Sequence, residues 1–209
     1  MSDWNTHLYC ANIVNESLRL EGRDLNLFLF GNLLPDVNMG WIIHPEVVMH
    51  QKDTHFDEVG QDYFWAPLRF YQKYEAEVKA KNPLFLGYLF HLWLDVSFMT
   101  DFMSRIPMSD MISRHYEVRE RKWKDCGLFI RDYHYTLPSE YIPDVYEEAK
   151  KIEEVQISED DLKKVVDYLD NNLTEFEGDA YIVYKPSELK QFYDSVIKDF
   201  VTWVGNPGK

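Results

Sequence analysis

The chain has 209 residues, 45% of them apolar and 16% aromatic, enough for one domain with a sizeable core. Its 36 acidic and 22 basic side chains leave a net charge of −14, which repels phosphate backbones and anionic lipid at long range and speaks against a stable nucleic-acid complex. The two isolated cysteines, Cys10 and Cys126, cannot make a zinc ribbon and read most simply as reduced thiols.

The opening MSDWNTHLYC has no basic cluster followed by an apolar stretch, so no secretory signal is expected and the chain reads as cytoplasmic. Apolar residues recur at mixed spacing over 10–20, with Ile13, Val14, Leu18 and Leu20. DLNLFLFGNLL, 24–34, is a second apolar helix that Pro35 should close at the preceding residue. A turn-rich connection follows over 35–60. An amphipathic helix is expected over 61–81, and Asn82-Pro83 opens the next one, 83–105, with a capping residue and a first-turn proline. The long apolar run from Asn82 to Met99 is too short and too polar for a membrane span. Helix is also expected over 109–126. The aromatic, proline-dotted stretch 127–146 could be a lid, a lipid-facing rim or an ordinary core strand. In ISEDDLKKVVDYL, Ser158 caps a helix with Asp161 in its first turn, and Pro186 or Ser187 begins the last helix, through Val204. Only YIVY, 181–184, reads as a strand. The expectation is an all-α fold, with residues 1–209 forming a single-domain multi-helix bundle around a metal-binding cleft.

The run GYLFHLWLDVSFMTDF, 87–102, is fit for an interior yet carries His91, Asp95 and Asp101. A buried carboxylate without a partner costs several kcal/mol, so a counter-ion is implied. At roughly 100° per residue, Asp95 falls about 40° from His91 and Asp101 about 80° to the other side, within one helical stripe. Gly87, one turn before His91, leaves room on that stripe. His and Asp at i and i+4 can clamp a divalent cation from two sides, but a satisfied core pair gives the same spacing. Other candidates stand elsewhere: His7 in NTHLYCAN, Asp36 in GNLLPDV and His55 in KDTHF. Three imidazoles and two carboxylates form a nitrogen and oxygen set suited to zinc first, with manganese or iron as the other options.

In order, THLYCAN, FLFGNLLPD, KDTHF and LGYLFHLWLD make residues 5–105 resemble the zinc-dependent phospholipase C family, which is related to single-strand-specific nucleases. The resemblance implies a mostly helical fold with a polar cleft around a metal cluster. It places Asp36, His55, His91 and Asp95 at one metal, and His7 at a neighbouring metal with Asp95 bridging. Secreted members also bind that neighbour through a free N-terminal tryptophan; here Trp4 is internal, which departs from the pattern. Asp101 stands where the family has a further metal-binding histidine. His115 lies near the next expected ligand, but Arg119 follows where an acid is expected, so Asp125 or Asp132 could complete a second site, or Arg119 could hold phosphate. His44, His50 and His134 read as loop or surface residues.

The implied activity is metal-dependent hydrolysis of a small phosphoester, with metal-activated water as nucleophile and Asp36 as a possible general base by the family analogy. The alternative is a metal-binding but catalytically inactive helical domain that holds a ligand or partner. No P-loop, dinucleotide-binding glycine turn, HExxH, GxSxG, Glu-x-x-His pair or adjacent His-Asp pair occurs to support other enzyme classes.

Overall fold

The computed structural model describes residues 3–40, 42–44, 46, 48–57, 63–105, 115–172 and 180–207, without the side chains of 63, 102–105, 115–119 and 172. All regular structure among them is helical. In chain order the helices are α1 (Trp4–Leu18), α2 (Gly22–Gly31), α3 (Leu34–Val37), α4 (Gln51–Thr54), α5 (Ala66–Lys73), α6 (Glu75–Lys79), α7 (Pro83–Arg105), α8 (His115–Ile130), α9 (Ile142–Ala149), α10 (Glu159–Asn172) and α11 (Pro186–Gly205), with a 3₁₀ turn at Tyr63–Trp65. The fold is an all-α bundle. No helix among the described residues is long and apolar enough to cross a membrane.

Helix α7 is the hub, packed against α1, α2, α3, α5, α6, α9 and α11. Its sequence explains this position: Leu84, Phe85, Leu86, Tyr88, Leu89, Phe90, Leu92 and Leu94 are all buried, so apolar groups surround the helix rather than form one stripe. Asn82 caps it, its Oδ1 accepting from the Leu84 amide at 3.1 Å. The tightest neighbour is α2. A Cβ on Gly31 would lie 2.1 Å from the Leu84 carbonyl oxygen, and one on Gly87 2.1 Å from that of Phe28. Two glycines therefore let the helix backbones touch. Gly87 makes room for α2, not for a ligand as its place beside His91 suggests.

Helix α1 begins earlier than its apolar periodicity indicates, because Asp3 caps it: the carboxylate accepts from the Thr6 amide at 2.7 Å. This brings Trp4 and His7 onto the helix. Pro35 does not close α2, which ends at Gly31. The proline instead sits in the first turn of α3, where its missing N–H costs nothing. The helix expected over 61–81 is a 3₁₀ turn, α5 and α6, broken at Tyr74, whose backbone leaves the helical region (φ −117°, ψ 34°). The stretch 127–146 contributes the end of α8, an extended connection and the start of α9, while 106–114, and with it the start of the helix expected over 109–126, lies outside the described residues.

YIVY is not a strand. The amides of Ile182, Val183 and Tyr184 all donate to the Asp125 carboxylate, at 2.8, 2.5 and 2.8 Å. One buried acid on α8 supplies the acceptors that a neighbouring strand would otherwise provide. Ser158 caps α10 as expected, with Asp161 returning the bond to the Ser158 amide at 2.9 Å.

Candidate metal centre

Four segments deliver five ligand-type side chains to one buried place. His7 comes from α1, Asp36 from α3, His55 from the end of α4, and His91 and Asp95 from consecutive turns of α7. His7, His55, His91 and Asp95 are fully buried, and Asp36 retains 6% exposure. The His7 and His91 rings stack at 3.9 Å between centroids, and those of His55 and His91 lie 5.1 Å apart.

His55 and His91 each approach both carboxylates. His55 Nε2 stands 3.2 Å from His91 Nε2, 3.5 Å from Asp36 Oδ1 and 3.7 Å from Asp95 Oδ2. His91 Nε2 stands 4.0 Å from Asp36 Oδ2 and 3.8 Å from Asp95 Oδ2. Ligands about 2.1 Å from a tetrahedral zinc lie roughly 3.4 Å from one another, so Asp36, His55 and His91, whose ligand atoms all lie within 4.8 Å of one another, are spaced for three positions around one ion. The other Asp95 oxygen turns to His7, whose Nε2 is 3.4 Å away. His7, His91 and Asp95 form a second compact group beside Asp36, His55 and His91.

Neighbouring groups orient the imidazoles. The Asn32 carbonyl lies 2.8 Å from His91 Nδ1 and takes its proton, so Nε2 presents a bare lone pair to the cluster. The Thr54 hydroxyl engages His55 Nδ1 at 3.0 Å, again leaving Nε2 inward, and the Thr54 carbonyl is held by the Tyr88 hydroxyl. Both His7 ring nitrogens and Asp36 Oδ1 are buried without a hydrogen-bond partner. Such atoms are costly unless something else satisfies them. A divalent cation would satisfy the Asp36 oxygen and one His7 nitrogen, with the two carboxylates offsetting its charge. Asn32 and Thr54 were not singled out from sequence. Thr54 precedes His55 directly, but a main-chain carbonyl such as that of Asn32 leaves no mark in residue identity.

Electrostatics prepares the same atoms. Burial, reinforced by the facing His91, lowers His55 to a pKa of about 3. Burial and the stacked His7 lower His91 to about 4. Both are neutral near pH 7, the form that binds metals. Burial opposes ionisation of Asp95, yet its polar surroundings, the facing His7 imidazole among them, hold it well below the usual carboxylate range. Asp36 goes the other way: burial chiefly, with the nearby Asp95 adding to it, raises it to about 6. Metal affinity should therefore fall as pH drops through 6, because protonation removes Asp36 as a ligand. For that one group the loss between pH 7.5 and 5.5 is about fourfold. Competition with a chromophoric chelator across this range measures it. In Asp36→Asn the Asp36-dependent part of the slope should disappear; an unchanged slope would remove Asp36 from the ligand set.

The remaining candidates separate clearly. Asp101 is half-buried almost three turns beyond His91 on α7 and does not share the cluster. Asp125 is committed to the three amides of 182–184, so it is not a spare ligand. Asp132 is exposed beside Arg131. His115 and Arg119 fall in α8, but their side chains lie outside the described residues. Trp4 is the first residue of α1 and packs edge-on against Tyr168 at 5.5 Å. His44 lies in a loop as expected, half-buried, its Nε2 2.6 Å from Asp161 Oδ1, and ties the 42–44 segment to α10. His50 and His134 are exposed. No protein-family model, curated protein or solved structure matches this chain.

Proposed function

We propose that the chain is a metal-dependent phosphoester hydrolase built on a zinc-type centre of Asp36, His55, His91 and Asp95, with His7 and the second Asp95 oxygen beside it. One observation carries the metal reading: the His91 lone pair, fixed by the Asn32 carbonyl, faces another imidazole nitrogen and two carboxylates at 3.2–4.0 Å, all buried. The order of THLYCAN, FLFGNLLPD, KDTHF and LGYLFHLWLD along the chain supports the hydrolytic reading through its resemblance to the zinc-dependent phospholipase C family.

When bound, a divalent ion there would act as a Lewis acid on a phosphoryl oxygen and make water acidic enough to ionise near neutral pH. The chain's own residues have distinct parts. Neutral His55 and His91 donate electron pairs, and Asp95 faces both halves of the cluster with its two oxygens. Asp36 is the least buried of the five, at 6% exposure, and is the carboxylate placed to orient and deprotonate an attacking water. The near-complete burial of the other four favours the second reading, a closed metal centre that does no chemistry.

Metal analysis of the purified protein, followed by hydrolysis of bis(4-nitrophenyl) phosphate, separates the two. The hydrolase reading expects turnover that a chelator abolishes and zinc restores, with kcat reduced roughly 10²-fold or more in Asp36→Asn. Stoichiometric metal without turnover assigns the inert centre. Turnover unaffected by chelation removes the metal from the chemistry.

A further inference from the structure

On the side of α7 away from the cluster, α5, α7 and α11 enclose an open groove of about 350 Å³ whose walls are mostly apolar, five aromatic side chains among them. Tyr71 from α5, Trp93 from α7 and Trp203 from α11 meet at steep angles. Trp203 stands 5.0 Å from Tyr71 with the planes at 87°, and 5.9 Å from Trp93 at 48°. Three rings so tilted form walls and not a flat stack. Across from them, Phe64 and Trp65 keep 50% and 55% of their surface exposed, high values for such large apolar side chains. Asp199 sits one turn before Trp203 on α11 and puts a carboxylate in the lining. Beyond Asp199 a shallower hollow continues the groove, sharing Trp93, Asp199 and Trp203.

The charge pattern selects the occupant. Among the described residues no lysine, arginine or histidine lines the groove, and Asp199 makes no ion pair. Among the described residues no cation lies over the rings of Trp65, Trp93 or Trp203. Ring faces carry negative potential, tryptophan's most of all, and a carboxylate adds full negative charge at the rim. An anion would meet repulsion from every side. A plain hydrocarbon would bury the rings but gain nothing from Asp199. An alkylammonium group, with its charge spread over apolar carbon, suits both features.

We propose that this groove binds an organic cation of the quaternary or alkylated ammonium class, its positive centre seated against the Trp93 and Trp203 rings and paired with Asp199. The proposal is independent of the metal reading, since the groove and the cluster share no residue.

Tryptophan fluorescence titration with tetramethylammonium chloride at fixed ionic strength tests it, with neopentyl alcohol as the uncharged comparator of similar shape. Saturable binding of the cation is expected, at least about tenfold tighter than the alcohol, and weakened about tenfold in Asp199→Asn and in Trp203→Leu. Asp199 is exposed, so its substitution leaves the core intact, and metal content should be unchanged in that variant. Equal binding of alcohol and cation would mean a merely apolar groove. The absence of saturation by the cation, or saturation insensitive to both substitutions, would overturn the assignment.

Discussion

Chelation should lower the melting temperature of the wild-type protein by about 5–15 °C and leave His91→Ala, already less stable, unchanged. The magnitude comes from mass action: a ligand at 100 to 1,000 times its dissociation constant adds about 2.7–4.1 kcal/mol to the folded state, and each kcal/mol moves a chain of this length by about 2–4 °C. The direction comes from the cluster. Without a cation, two carboxylates and three imidazoles stay crowded in the interior, with the His7 nitrogens and Asp36 Oδ1 lacking hydrogen-bond partners. His91 is the most informative position, since it belongs to both compact groups. Its loss also leaves a cavity and frees the Asn32 carbonyl, so lower stability alone would not identify a metal. The loss of the chelator's effect does. Calorimetric scans with and without chelator, paired with elemental analysis of both proteins, give the answer, and a wild type indifferent to chelation and free of metal would end the metal reading.

The cluster was legible in sequence to the extent that it rests on residue type and helical spacing. His91 and Asp95 declare themselves as polar groups one turn apart in an otherwise oily helix, and α7 has the bounds that Asn82-Pro83 and its apolar run indicate. His7, Asp36 and His55 are visible as ligand-type residues in three other segments; nothing local shows that α1, α3 and α4 bring them together. What escaped depends on contacts between segments distant in sequence. YIVY has the composition of a strand, but the acceptors for its amides are on Asp125, 57–59 residues away. Asp101 shares the helical stripe of His91, yet a stripe says nothing of distance along the axis, and ten residues of helix is about 15 Å. The aromatic groove joins Trp65, Trp93 and Trp203, which no periodicity in the chain connects.

Gly87→Ala should cost roughly 3 kcal/mol or more, lowering the melting temperature by about 6–12 °C, and should weaken metal binding although no ligand is changed. The added methyl would lie 2.1 Å from the Phe28 carbonyl oxygen and 2.9 Å from the Asn32 amide nitrogen. Both obstacles are main chain, so no rotamer change relieves them and α2 must move away from α7. That helix leads into Asn32, whose side-chain amide donates to the Gly87 carbonyl at 3.2 Å and whose own carbonyl accepts from His91 Nδ1 at 2.8 Å. Separation of the two helices therefore releases His91 from the tautomer and orientation that aim Nε2 inward. Gly31→Ala meets the Leu84 carbonyl at the same 2.1 Å and should behave alike. Gly205→Ala, at the end of α11 with nothing within 4 Å, supplies the control and should be neutral or slightly stabilising, because alanine favours helix over glycine by up to about 1 kcal/mol. Thermal melts and metal titration of the three variants decide the matter. A Gly87→Ala protein that melts with the wild type would show that α2 and α7 do not meet backbone to backbone, and with that contact would go the physical link between the core of the fold and the aim of His91.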